Sequence, residues 1–223
     1  MSAPILVVTG TDTGVGKTVV SAGLAKALVA RGVRTIAVKP VESGVDALEP
    51  QDEDGVKLAR ATGQEAPTSA LTRLGAPVAP PVAAELDDVA LDDGLWTRAV
   101  LEAAMSADLV LVEGAGGLMS PLAWDTTLLD LAAIWGAEAI VVAANQLGVI
   151  NHTRLTLAAL RDAGVRARAV VLSEGLASDA SMVSNAESLR RLEPDLPILE
   201  LPRLPEPVDA SQALHPLAEA LAG

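Results

Sequence analysis

Positions 5–9 read Ile-Leu-Val-Val-Thr and run directly into Gly-Thr-Asp-Thr-Gly-Val-Gly-Lys-Thr at 10–18, where a helical pattern begins that extends over 17–30. No other stretch constrains the fold as tightly. An apolar strand, a glycine-rich turn, a Lys-Thr pair and a helix, in that order, are the context a phosphate-binding loop requires. Gly14 and Gly16, with Val15 between them, let consecutive backbone N–H groups turn towards one anion. The helix starting near Lys17 adds the partial positive charge of its N-terminus. Lys17 is suited to reach the β- and γ-phosphates of a nucleotide, and the Thr18 hydroxyl to hold Mg²⁺. Five residues separate Gly10 from Gly16, one more than the common G-x₄-G-K-T spacing allows.

The rest of the chain repeats the strand–helix alternation. Apolar runs at 35–38, 109–112, 139–144 and 169–172, with a weaker one at 198–201, read as buried strands. Helical patterns at 54–61, 95–107, 127–135, 153–163, 181–192 and 211–221 lie between or after them. Strands apolar on both faces that alternate with helices predict an α/β fold in three layers. Its central sheet is mainly parallel, with helices on both faces. There is no repeat or linker, and 223 residues suit a single domain over 1–223. Two stretches read as irregular: 41–51 after the second strand, and Gly-Ala-Pro-Val-Ala-Pro-Pro at 75–81, which predicts a loop.

Composition narrows the chemistry. The chain has no Cys, which excludes a thiolate nucleophile, disulfides and any Cys-ligated metal. Its two histidines, His152 and His215, are too few for a multi-histidine zinc site. Phe and Tyr are absent and the formal net charge is −13. With Trp96, Trp124 and Trp135 the only aromatics, stacking platforms for nucleic acid are poorly supplied, and the acidic balance opposes phosphate-backbone binding. No basic segment precedes the first apolar run, and the longest unbroken apolar run, 139–144, is far short of the ~20 residues of a membrane span. The expectation is a cytoplasmic protein with no nucleic-acid or membrane partner.

Two further features lie at predicted C-terminal strand ends, where ligands collect in such sheets. The run 109–112 ends in Glu113 and then Gly-Ala-Gly-Gly at 114–117. A carboxylate there acts on Mg²⁺ as a Walker-B acid does, and small residues such as Gly116 and Gly117 let backbone approach a ligand. The run 35–38 ends in Lys39-Pro40. Lys39 adds positive charge where a phosphoryl group passes. With Lys17 after the first apolar run, two of only four lysines fall where predicted strands end.

The motifs G-T-D-T-G-V-G-K-T (10–18), K-P-V-E-S-G (39–44), V-E-G-A-G-G (112–117) and L-G-V-I-N-H (147–152) resemble the dethiobiotin synthetase family of P-loop NTPases, in that family's order and spacing. The longer glycine spacing of the first loop is also the family's form. The resemblance covers nearly the whole chain. It implies closure of a cyclic urea in biotin synthesis from 7,8-diaminopelargonate, CO₂ and ATP, through a carbamate and a carbamic–phosphoric anhydride. It assigns Lys17, Lys39 and Thr13 to the reacting groups. Thr18, Glu113 and Asp54 match Mg²⁺ residues; Asp54 follows two other acids, and the run into Gly-Val-Lys-Leu at 55–58 favours it. Ser43 matches a substrate-contacting serine. Gly148, Val149, Ile150 and Asn151 open a helix whose N–H groups, supplied by a neighbouring subunit of a homodimer, receive the substrate carboxylate. As a plain surface helix, the same turn would use Asn151 as its N-cap.

The base-binding end departs from the family. Ser173-Glu174 stands where an Asn-Asp pair is usual, and a serine offers fewer base-edge contacts than an amide. Pro202, Arg203 and Leu204, with Glu206, resemble the second base-binding segment, with Arg203 at a commonly aromatic position. This leaves the nucleotide's base identity open. The main alternative is an ATPase switch of the partitioning or septum-positioning type. Those proteins carry a lysine five residues before the loop lysine, and Asp12 occupies that position here.

Overall fold

The computed structural model describes residues 2–45, 48–175, 179–205 and 208–222. In chain order the first elements are β1 (Ile5–Gly10), α1 (Lys17–Ala30), β2 (Thr35–Val38), β3 (Val41–Ser43), α2 (Asp54–Thr62), β4 (Thr72–Leu74), α3 (Pro80–Asp87) and α4 (Asp93–Ser106). There follow β5 (Leu109–Gly117), β6 (Pro121–Ala123), β7 (Thr126–Thr127), α5 (Leu128–Ile134), β8 (Glu138–Ala144) and α6 (Val149–Asp162). The last are β9 (Ala167–Ser173), α7 (Met182–Leu192), β10 (Ile198–Leu201) and α8 (His215–Ala222).

Six strands form the main sheet in the order β10-β9-β8-β1-β5-β2, and every neighbouring pair is parallel. Both faces of the sheet are covered, as the two-sided apolar runs predict. Along β1, Ile5 and Val7 enter the core on one side; Leu6 and Val8 enter it on the other. Trp96 and Val100 of α4, Leu131 of α5, Leu157 of α6 and Leu189 of α7 fill the first side. Leu24 and Leu28 of α1, Leu58 of α2 and Leu217 of α8 fill the second. Each such side chain contributes about 1.5–3 kcal/mol of burial, so an almost wholly aliphatic core suffices without Phe or Tyr. Trp96 is fully buried and its Nε1 donates to Thr72 Oγ1 at 3.0 Å, which satisfies the indole's one polar group. Among the described residues no helix is long and apolar enough to cross a membrane.

From β1 the chain crosses to the edge strand β2 and later returns to place β5 between the two; β8 then adds on the other side of β1. The direction of winding therefore reverses at β1, and the crevice beyond the C-terminal ends of β5, β1 and β8 is where such sheets bind ligands.

Two expectations need correction. The stretch 41–51 is not wholly irregular: β3 pairs in parallel with β4, and a short 3-10 turn covers Pro50–Asp52. Strand pairing about thirty residues away leaves no local signature in three residues. The stretch 75–81 is a loop only as far as its prolines. Pro80 and Pro81 open α3, since the first helical turn has no intrahelical use for the N–H that proline lacks. Helix ends otherwise shift by a few residues, most at α6 and α8, which start at Val149 and His215 rather than at positions 153 and 211.

Candidate active site

Gly16 caps α1 with φ 94°, a left-handed conformation open to glycine at no steric cost. A Cβ at this position would also stand 2.8 Å from Ser173 Oγ. Lys17 is buried, and its Nζ donates to the Asp12 carbonyl at 3.0 Å, which folds the lysine back along its own loop. Burial pulls the Lys17 ammonium below the ordinary lysine range, and the nearby charge of Lys39 pulls the same way.

The second lysine is placed by sheet register. Val38 of β2 is paired with Val112 of β5, so the next residues, Lys39 and Glu113, are neighbours at the strand ends. Lys39 Nζ donates to Glu113 Oε1 at 2.7 Å, to Asp54 Oδ2 at 3.0 Å and to the Gly114 carbonyl at 3.2 Å. Thr18 Oγ1 donates to the same Glu113 oxygen at 3.0 Å. Lys39 is almost fully buried; burial works against its charge, but Glu113 and Asp54 outweigh burial and hold the ammonium above the ordinary range. Asp54 is the reciprocal case. Burial pushes its carboxyl up, and the charge and hydrogen bond of Lys39 bring it below the ordinary value of 3.8.

Thr13, Gly14, Gly16, Lys17, Thr18, Lys39, Ser43, Asp54 and Gly116 all line one cleft of about 350 Å³. A second cleft of about 410 Å³ shares Gly14, Gly16 and Val19 with it and is lined further out by Val15, Ser173, Glu174, Pro202, Arg203 and Leu204. Loops predicted to bind phosphates and loops predicted to bind a base thus form one continuous trough. Gly117 lies at the end of β5 beside Gly10, its N–H donated to Ser120 Oγ at 2.9 Å. Gly148, Val149, Ile150 and Asn151 do not line either cleft. Gly148, with φ 95°, is the residue that caps α6, so Asn151 is inside the helix and is not its N-cap. Glu206 lies outside the described residues.

Residues 5–210 match the family described as an AAA domain. The chain is 43% identical over 177 residues to the ATP-dependent dethiobiotin synthetase BioD of Caulobacter sp. (strain K31), covering 78% of this chain and 77% of the relative. It is 39% identical over 212 residues to that of Anaeromyxobacter dehalogenans (strain 2CP-C), covering 94% of each. The chain belongs to the ATP-dependent dethiobiotin synthetase family.

Solved structures similar in fold include the septum site-determining protein MinD of Pyrococcus horikoshii, at TM-score 0.60 and 19% identity over 99% of this chain and 96% of that one. The MinD cell division ATPase of Pyrococcus furiosus matches at TM-score 0.60 and 22% identity, over 98% of each chain. At these identities the likeness concerns the fold alone. In this chain Asp12 stands five residues before Lys17. It uses its backbone carbonyl to hold Lys17 and its side chain to accept the Thr13 N–H at 2.7 Å.

One residue at the cleft was not singled out from the sequence. Glu42, between Val41 and Ser43, lines it and is buried. Its two oxygens accept the N–H groups of Asp54 and Gly55 at 2.6 and 3.0 Å. Burial raises the Glu42 carboxyl above its ordinary value, and those two N–H groups partly offset the rise. Its only sequence signal is a glutamate inside the K-P-V-E-S-G motif, and no local rule ties it to a helix twelve residues on.

Proposed function

We propose that this chain closes 7,8-diaminopelargonate and CO₂ to dethiobiotin at the expense of ATP, in the cytoplasm and as a homodimer. The observation that carries the reading is the convergence of Lys17 and Lys39 on one cleft beside the phosphate loop, with Lys39 locked between Glu113 and Asp54. Phosphoryl transfer needs positioning and charge neutralisation more than a protein nucleophile, and here the substrate's amines supply both nucleophiles.

In this reading one amine captures CO₂ as a carbamate in the part of the cleft lined by Thr13, Lys39 and Ser43. A carbamate oxygen attacks the γ-phosphorus and ADP departs, leaving a carbamic–phosphoric anhydride. The second amine attacks its carbonyl carbon, expels phosphate and closes the ring. Lys17 neutralises charge on the β- and γ-phosphates, while Gly14, Val15 and Gly16 present backbone N–H groups to them. Lys39 meets the charge that moves on to the transferred group.

The residues present also suit Mg²⁺. Glu113 Oε2 is buried and has no hydrogen-bond partner, and Thr18 Oγ1 and Asp54 stand at the opposite oxygen and its lysine. Among the described residues no three His, Cys, Asp or Glu side chains gather to cage a metal, which suits an ion that keeps waters and phosphate oxygens as ligands. Thr18, Asp54 and Glu113 would hold it, and the ion would neutralise phosphate charge. The trough's outer end, with Ser173, Pro202, Arg203 and Leu204, takes the base, and Glu206 is proposed beside it.

The α6 turn is proposed to serve the neighbouring subunit. No side chain caps its N-terminus; the Val149 N–H donates to the Gln146 carbonyl at 3.1 Å, which leaves those of Ile150 and Asn151 to receive the substrate carboxylate. The turn lines neither cleft of its own chain, which is consistent with this role.

The test is ATP turnover by the purified protein with and without 7,8-diaminopelargonate and bicarbonate, with the product identified by mass. Turnover is expected only with both, and Lys17→Ala and Lys39→Ala should abolish it. Lys57→Ala should not, because Lys57 is exposed and outside the cleft. Steady hydrolysis without the diamine, or equal activity of the three variants, would overturn the proposal.

A further inference from the structure

We infer that Glu42 is a positioning residue for the proposed reaction: its carboxylate holds the first turn of α2 and thereby sets where Asp54 stands against Lys39. The inference rests on the synthetase reading for its reaction and on contacts of this chain for its geometry.

Helix α2 begins at Asp54 without a local cap. Glu53 occupies the N-cap position, but its carboxylate is turned to Arg73, whose Nε donates to Glu53 Oε2 at 2.8 Å. The N–H groups at a helix start have no intrahelical partner and carry the positive end of the helix dipole. Glu42 supplies what is missing from a distance of twelve residues: Oε1 takes the Asp54 N–H at 2.6 Å and Oε2 takes the Gly55 N–H at 3.0 Å. One carboxylate thus straddles two consecutive N–H groups, a bidentate contact that fixes direction as well as distance.

The helix start has little freedom on its other side. A Cβ on Gly55 would lie 2.2 Å from the Ala70 N, so α2 is pressed against the irregular segment that leads into β4. Glu42 itself is held by β3, which pairs with that same β4. The small two-stranded sheet therefore carries both Glu42 and the wall behind Gly55. Asp54 is the first residue of the helix so fixed, and its Oδ2 sits 3.0 Å from Lys39 Nζ. Glu113 fixes the lysine from the sheet side, and Glu42, through α2, fixes it from the other.

The experiment is a kinetic double-mutant cycle with Glu42→Gln, Asp54→Asn and the pair, measured as diamine-dependent ATP turnover. Glu42→Gln sets an amide NH₂ against a backbone N–H and is expected to lower kcat by about 10- to 100-fold, the scale of a small misplacement. The KM for the diamine should stay within about threefold. If Glu42 acts through Asp54, the pair should be no slower than Asp54→Asn alone. Multiplied losses, or a loss confined to KM, would overturn the inference. Amide hydrogen exchange of the wild-type protein supplies a readout that needs no variant to fold. Asp54 and Gly55 should exchange slowly for a helix start, and exchange at the rate of an open end would equally overturn it. A wild-type protein with no diamine-dependent turnover would fail the synthetase reading, whereas an active one with a multiplicative cycle would fail this inference alone.

Discussion

Lys39 Nζ and Glu113 Oε1 lie 2.7 Å apart, and both side chains are shut off from solvent. The pair joins two strands that are neighbours in the sheet and over seventy residues apart in the chain. It sets the Lys39 ammonium against the carboxylate proposed to hold the metal. Lys39 and Thr18 both donate to Glu113 Oε1, which leaves Oε2 for whatever enters the cleft.

A buried pair of this kind costs more to break than to replace. Lys39→Met leaves the Glu113 charge uncompensated and is expected to destabilise the fold by about 3–5 kcal/mol. Adding Glu113→Gln should restore much of that loss, because the uncompensated Glu113 charge is removed as well, yet leave ring closure absent. Urea unfolding of the two variants beside the wild type measures both steps. A single variant as stable as the wild type would show that the pair is solvated in solution.

Acid should act on the site through Asp54. Burial raises its carboxyl but Lys39 lowers it further, so its folded-state value lies below 3.8. A depressed carboxyl contributes its full stability above the unfolded value and loses it as pH falls through the folded one. The stability difference between wild type and Asp54→Asn should therefore be constant above pH 3.8 and shrink below it. Lys39 behaves oppositely: its value is raised above 10.5, so its contribution is full below that pH and fades only in stronger alkali. Urea midpoints of both proteins across the acid range decide the matter, and a difference that grows on acidification would contradict it.

The base cleft predicts weak discrimination among nucleotides. Among the described residues no Asn or Gln side chain lines it. Ser173 Oγ packs beside Gly16 of the phosphate loop and so stands at the inner end of the cleft. Without a bidentate amide, worth about 1–3 kcal/mol of base discrimination where it occurs, kcat/KM for ATP, CTP and GTP should agree within about tenfold. A preference above a hundredfold for one base would place a specific partner at the cleft's outer rim.

The architecture was largely legible because the strands of the main sheet, β10 with its exposed Glu200 excepted, are apolar on both faces and bounded by turn residues, a pattern local to a few positions. Residues 5–18 announce a strand, a phosphate loop and a helix in sequence, and 35–39 and 109–117 each show a strand ending in a charged residue. By contrast β3, β4 and α3 were not read: three-residue strands carry no period, and prolines read as breakers even where they start a helix.

The chain's sequence alone determines that Lys17 opens the helix after β1 and that Lys39 and Glu113 follow apolar parallel-strand runs on the same side of the sheet, since a strand's direction follows from local pattern and connection. It does not determine that Lys39 meets Glu113 rather than Lys17. That depended on β5 inserting between β1 and β2 and on the register that sets Val38 against Val112. Nor does it show that Glu42 caps a helix it does not belong to. Partners of buried charges are chosen by which backbones lie side by side, and that choice belongs to the assembled sheet and its neighbouring helices.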